Sequence, residues 1–245
     1  MDMRVTLIDG TGFGSKDPSR HAANIIAYTR STRLNMTPGL LAEIQAKKDY
    51  EVLQELMLAS DTLPSSWEFV YFTFLIEGVT RAFTHQLVRT RTASYAQQAM
   101  RIVIMDGWTY STGPTVEGNG TYKATMDTIA ANYEILIKDG ASTEDARGIL
   151  PTNIHTNINM SINMRNWVNL VRKRGSIRVQ DEYNKVVEKM VMEVEKVYPW
   201  IYMFVKNDEL KARKDLQNMI WENKSLTPEE KLNMVKKLDI IISDL

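Results

Sequence analysis

The 245-residue chain contains no cysteine, which excludes disulfides, zinc–thiolate centres and cysteine nucleophiles and is compatible with a reducing, cytoplasmic compartment. Histidine is scarce as well. His21, His85 and His155 are the only three, too few and too scattered to promise a metal site. Neither sign of charge is in excess, because 30 Lys and Arg offset 30 Asp and Glu. Nothing global therefore attracts nucleic acid or an anionic membrane, and any affinity for phosphate must be local. No run is apolar enough to span a bilayer, and Met1-Asp2-Met3-Arg4-Val5-Thr6-Leu7-Ile8-Asp9 lacks the apolar centre of a signal peptide. The expectation is a soluble cytoplasmic protein with no nucleic-acid or membrane partner.

What is present is length enough for a sizeable core: one large catalytic domain over residues 1–205, then a charged helical extension over 206–245. Val5 to Ile8 reads as an opening strand, closed by Asp9-Gly10. Gly10-Thr11-Gly12-Phe13-Gly14-Ser15-Lys16 fits neither phosphate-loop nor dinucleotide spacing and reads as a flexible loop. Helices are expected from Pro18 to Thr29, near Thr37–Leu41, and from Asp49 to Ala59. The aromatic, β-branched stretch Pro64 to Gly78 predicts a strand stopped by the glycine, and Val79 to Val88 a helix that aims Gln86 and Arg89 at the following loop. Asp106 to Gly120 reads as a turn-rich surface loop, Tyr122 to Lys138 as a long helix, and Ser142 as the cap of a short helix carrying Arg147.

Two stretches stand apart. Arg89-Thr90-Arg91-Thr92-Ala93-Ser94-Tyr95-Ala96-Gln97-Gln98-Ala99-Met100-Arg101 concentrates three guanidinium forks and two amides where the chain leaves an apolar run. From Ile154 to Arg165 the even positions are apolar except Thr156, whereas His155, Asn157, Asn159, Ser161, Asn163 and Arg165 are polar. That alternation predicts a strand with one buried face and one of neutral amides. Amides and guanidiniums together suit a phosphorylated heteroaromatic ligand, and no Ser-His-Asp, Cys-His or paired-carboxylate arrangement competes with that reading. Arg172-Lys173-Arg174 is too short to argue for nucleic acid.

The segment Ile76 to Ser94 closely resembles the signature of the flavin-dependent thymidylate synthases, which usually reads Arg-His-Arg, seven residues, then Ser. Here Thr90 stands for the His and Ala99 for the Ser. Glu144 to Pro151 matches the family's Glu-x-Ala-Arg-x-x-Leu-Pro. Asn163, Arg165, Asn169 and Arg174 match its Asn-x-Arg-x-x-x-Asn-x-x-x-x-Arg, with Gln180 and Glu182 as the following Gln-x-Glu. Glu68 is in place where the family usually has Glu-His, but Phe69 replaces the His. The likeness runs from about Val5 to Phe204 and leaves the C-terminal residues outside.

The resemblance implies an α/β fold with a central antiparallel-rich sheet flanked by long helices, and a homotetramer with active sites at subunit junctions. It implies FAD as cofactor, NADPH and methylenetetrahydrofolate as co-substrates, and C5 methylation of dUMP to dTMP. Gln86, Arg101 and Arg147 would then hold the nucleotide phosphate and sugar, with Arg89 beside them. Arg174 would stabilise charge at the uracil carbonyl edge, and Gln97 would lie between nucleotide and flavin, these two being the catalytic candidates. Arg89, Thr90, Arg91, Asn163, Arg165 and Asn169, with Glu68 and Phe69, would serve the flavin. The two lost histidines, at Phe69 and Thr90, belong to the flavin and folate side, so two alternatives stand beside methylation: hydroxymethylation or another C5 modification of dUMP or dCMP, and a catalytically silent nucleotide- and flavin-binding subunit.

Overall fold

The computed structural model describes residues 2–31, 36–174 and 181–205, together with 219, 220, 223, 225–227, 230, 231 and 234; the side chains of Asp61 and Arg174 fall outside this set. Most of the expected C-terminal extension lies outside the described residues. Its expected cap is among them: Thr227 Oγ1 accepts from Glu230 N at 3.3 Å while Glu230 Oε2 accepts from Thr227 N at 2.8 Å, a reciprocal box that satisfies two end donors.

The order is β1 (Arg4–Gly10), α1 (Pro18–Arg30), α2 (Leu40–Ala46), α3 (Asp49–Thr62), β2 (Tyr71–Thr80), α4 (Arg81–Leu87), β3 (Ala93–Gln97), α5 (Gly120–Lys138), α6 (Thr143–Ala146), β4 (His155–Asn163), α7 (Met164–Arg174), α8 (Asp181–Val197) and α9 (Tyr202–Val205). The strands form one antiparallel sheet in the order β1-β2-β4-β3. The architecture is therefore α/β with an antiparallel sheet, as expected. Period-two alternation explains which face is buried. Val5 and Leu7, Phe72, Phe74 and Ile76, and Ile158, Met160 and Ile162 turn one way into a core completed by Trp167, Tyr183, Val186, Met190, Tyr198 and Phe204 from the helices. Phe72 meets Trp167 edge-on at 5.2 Å between centroids, a favoured aromatic geometry. The opposite face carries Asn157, Asn159, Ser161 and Asn163.

Three expectations need correction. Pro64–Phe69 is a 3₁₀ turn rather than the start of a strand, with Pro in the first turn where its missing N–H costs nothing. Glu68 and Phe69 thus sit before β2. Gly78 does not end β2: the strand passes through it with φ 66° at a register shift between Ile76 and Val79, and continues to Thr80. A bulge needing positive φ is a place for glycine, not a stop. Residues 93–97, expected in a loop, form the edge strand β3.

The first glycine loop is also tighter than a flexible loop. Tyr198 Oη donates to Thr11 O at 2.9 Å, and a Cβ added at Gly10 would stand 2.4 Å from the Tyr198 hydroxyl. A second, smaller core gathers Met105, Tyr133, Ala146 and Ile154 beneath the segment after β3, where Tyr133 Oη accepts from Met105 N at 3.1 Å.

Candidate active site

The site is assembled where β2 hands over to α4 and where β3 lies along β4. Thr80 caps α4, its Oγ1 accepting from Phe83 N at 3.0 Å. Glu182 on α8 fixes that cap from outside, accepting from Thr80 N at 2.7 Å and from Thr80 Oγ1 at 2.5 Å. The family-like Glu182 is thus a positioning residue for α4.

The first residue of α4 is Arg81, and no acidic residue occupies the first turn. A cation there opposes the helix dipole. Arg81 Nη2 donates to Gln98 O at 2.7 Å, while its Nε is buried without a hydrogen-bond partner. Burial lowers the Arg81 pKa, and the nearby Arg147 guanidinium lowers it further. Arg147 itself is held loosely, with Nε donating to Glu144 O at 3.2 Å and Nη2 3.8 Å from Glu144 Oε1. The repulsion between these guanidiniums and the unspent buried donor make this a candidate place for an anion, since one phosphate would relieve the first and could satisfy the second. Arg81 escaped the sequence reading. The signal that could have found it is its position, a cation at the start of a helix that follows a strand.

Arg101 joins this region through its backbone, its carbonyl accepting from Thr143 Oγ1 at the head of α6; its side chain is exposed. Gln86 is half-buried on the last turn of α4. Gln97 points to the helix-covered side of the sheet, where Nε2 donates to Thr84 Oγ1 at 2.9 Å and approaches Thr156 Oγ1 at 3.4 Å. It links β3, α4 and β4. Arg174 lies on the last turn of α7, but its side chain, like Gln180, lies outside the described residues.

A separate cleft of about 510 Å³ opens between the segment Arg89-Thr90-Arg91-Thr92 and one face of α7, presenting Asn166, Asn169, Leu170 and Lys173. Those four positions follow the i, i+3, i+4, i+7 spacing of a single helix face. Tyr95 braces the rim: its hydroxyl lies 2.9 Å from Leu87 O and 3.0 Å from Thr90 O, fixing the turn that carries Thr90. Burial, with a smaller push from Tyr183 and against a lowering by the Thr90 hydrogen bond, raises the Tyr95 pKa to about 12, so this hydroxyl stays a donor through the neutral range.

The remaining flavin-side candidates are engaged with one another or with the fold. Arg165 Nη1 pairs with Glu68 Oε1, and Asn163 Oδ1 caps α7 by accepting from Asn166 N at 2.9 Å. Phe69 is 58% exposed beside Glu68. Gln86 reaches the cleft through its backbone, its carbonyl accepting from Arg89 N at 3.2 Å, whereas Arg101 and Arg147 are not among the residues that line it. Arg172 belongs to the fold: Nε and Nη2 donate to Phe204 O at 3.2 and 2.7 Å, and its guanidinium lies 5.9 Å from the Trp67 ring centre. Among the described residues no group of three or more His, Asp or Glu is placed to hold a metal, and no helix is long and apolar enough to cross a membrane.

Residues 7–200 match the family model described as thymidylate synthase complementing protein. The chain belongs to that family. Similar proteins are named flavin-dependent thymidylate synthase. That of Sulfurisphaera tokodaii is 36% identical over 138 residues, 55% of this chain and 54% of its own length. That of Clostridium tetani is 34% identical over 168 residues, 60% of this chain and 68% of the relative. That of Nitratidesulfovibrio vulgaris is 33% identical over 181 residues, covering 69% and 73%. The matched part thus spans about half the length of the first of these relatives and about two thirds or more of the other two. Family membership accounts for the signature around Arg89–Arg101 and leaves Thr90, Ala99 and Phe69 as this chain's departures.

Proposed function

We propose that the protein is a flavin-dependent enzyme that methylates C5 of dUMP to give dTMP, with methylenetetrahydrofolate as carbon donor and NADPH as reductant. The observation that carries the nucleotide half is the buried, unpartnered Nε of Arg81 opposite Arg147, which supports a phosphate at the junction of α4 and α6. Arg101, whose carbonyl accepts from Thr143 Oγ1 at the head of α6, and Gln86 would contact phosphate or sugar. The cleft beside α7, with its cations and amides, suits a flavin dinucleotide, whose pyrophosphate needs cations and whose ring edges need amide donors and acceptors. When bound, the flavin supplies the hydride that completes the methyl group.

The chain's own residues bind, orient and stabilise charge. Arg81 and Arg147 anchor the phosphate, so binding energy far from C5 fixes the ring in place. Arg174 would face the uracil carbonyl edge and stabilise the negative charge that develops when C5 becomes nucleophilic. Gln97, held by Thr84, supports the sheet edge between the two regions. The family resemblance supports assigning the complete site to a junction between copies, in a homotetramer of residues 1–205 with the extension 206–245 outside the site.

A second reading is favoured by Thr90, which lines the cleft where the family usually has an imidazole. With the flavin side altered and the phosphate seat kept, the same pocket would let water, rather than hydride, finish the transferred carbon, giving a hydroxymethyl group on dUMP or dCMP. Chromatography of the nucleotide after incubation with dUMP, FAD, NADPH and methylenetetrahydrofolate, omitting each in turn, tests the main reading. The expected result is dTMP only in the complete mixture. A product that forms without NADPH contradicts methylation.

A further inference from the structure

The Arg172-Lys173-Arg174 run divides once it is folded. Adjacent positions on a helix point about 100° apart, so Arg172 turns inward to Phe204 and Trp67, whereas Lys173 lines the cleft opposite Arg89 and Arg91. No acidic residue lines that cleft, and none of these three cations has an ion-pair partner among the described residues. Around them stand only amides, threonines and Leu170. Two guanidinium forks and one ammonium line the same cleft, more cationic groups than a single phosphate of ordinary reach can answer.

We propose that Lys173 is a specificity-determining residue of this cleft: with Arg89 and Arg91 it forms a three-cation seat for a pyrophosphate, so that the protein retains a dinucleotide flavin and rejects the phosphate-free form. The inference rests on the assignment of the cleft to a flavin and adds to it the residue that selects the cofactor's form. Lys173 provides a point charge on a flexible stem, suited to reach a bridging diphosphate from the helix side, while the two arginines approach from the turn before β3. Asn166 and Asn169, on the same helix face, are placed to serve neutral edges of the ligand rather than its charge.

The test uses the full-length protein, stripped of flavin and titrated with FAD and, separately, riboflavin, by quenching of flavin fluorescence. Lys173→Met is expected to weaken FAD by about tenfold or more, the loss of one charge-assisted hydrogen bond, and to leave riboflavin unchanged. Raising salt should weaken FAD binding to the wild type more steeply than to Lys173→Met. Lys173→Arg should restore most of the FAD affinity, which a merely structural lysine need not do. Equal FAD affinity in wild type and Lys173→Met overturns the role of Lys173 while leaving the flavin assignment standing, as does an equal loss for FAD and riboflavin. Failure of the wild type to bind either flavin overturns both.

Discussion

Arg81 and Arg147 show what a pair of like charges is for. Arg147 has only the Glu144 carboxylate at 3.8 Å and one buried Arg81 donor is left over, an arrangement whose cost a nucleotide phosphate would remove under the proposed function. Replacing Arg81 by Met removes one arm of that seat. We expect the KM for dUMP to rise roughly 10- to 100-fold, the equivalent of about 1.5–3 kcal/mol for a hydrogen bond to a charged group, with a smaller change in kcat. Steady-state kinetics check this, and an unchanged KM would remove the phosphate from this junction. Tyr95 makes a different kind of contact, one hydroxyl serving two carbonyls at the rim of the cleft. Tyr95→Phe should cost about 1 kcal/mol of stability, read as a lower urea midpoint with unchanged slope.

At the scale of elements, most of β4 was legible, although Met164 and Arg165, expected at its end, open α7. The strand's alternation put Ile158, Met160 and Ile162 in the core and Asn157, Asn159 and Ser161 on the other side. β3 was not, because Ala93-Ser94-Tyr95-Ala96-Gln97 has little intrinsic β-preference and becomes a strand only by pairing along β4 from Ile162 to Ile158. The 64–78 stretch misled for the opposite reason. Trp67 and Phe69 look like strand residues, yet Pro64 and Ser66 favour a turn, with Ser66 Oγ donating to Leu63 O at 2.7 Å. The candidate site followed a similar division: Arg147 and Asn169 were named from the family resemblance, whereas Arg81 and Lys173 emerged as candidates only when helix faces were fixed. The joint between β2 and α4 depends on Glu182, which takes two donors from Thr80. Glu182→Gln keeps the shape but offers only one acceptor oxygen. Its expected cost is about 1–3 kcal/mol, and amide exchange should rise selectively in α4.

Across the whole molecule, two cores are joined by the polypeptide around His155. Its Nδ1 lies 2.8 Å from Thr109 Oγ1 and its Nε2 2.7 Å from Ser111 Oγ, tying the loop before α5 to the start of β4. Burial lowers the His155 pKa from its ordinary 6.5, so the unfolded chain takes up a proton that the folded chain resists. The resulting stability is fully present above about pH 6.5 and is lost as pH falls through the lowered folded value. Thermal melts from about pH 8 to about pH 5 should therefore fall more steeply for the wild type than for His155→Gln; parallel curves would remove His155 from the acid response.

The central claim is that a phosphate-anchored pyrimidine nucleotide gains one carbon at C5, and the mass spectrum of the product tests it most directly. The protein is incubated with FAD, NADPH, methylenetetrahydrofolate and an equal mixture of dUMP and dCMP. The account predicts a methyl increment on dUMP alone. A hydroxymethyl increment, or any product from dCMP, would mean that the seat formed by Arg81 and Arg147 was kept while Thr90, Ala99 and Phe69 redirected the chemistry; no modified nucleotide at all, with flavin bound, would contradict the account.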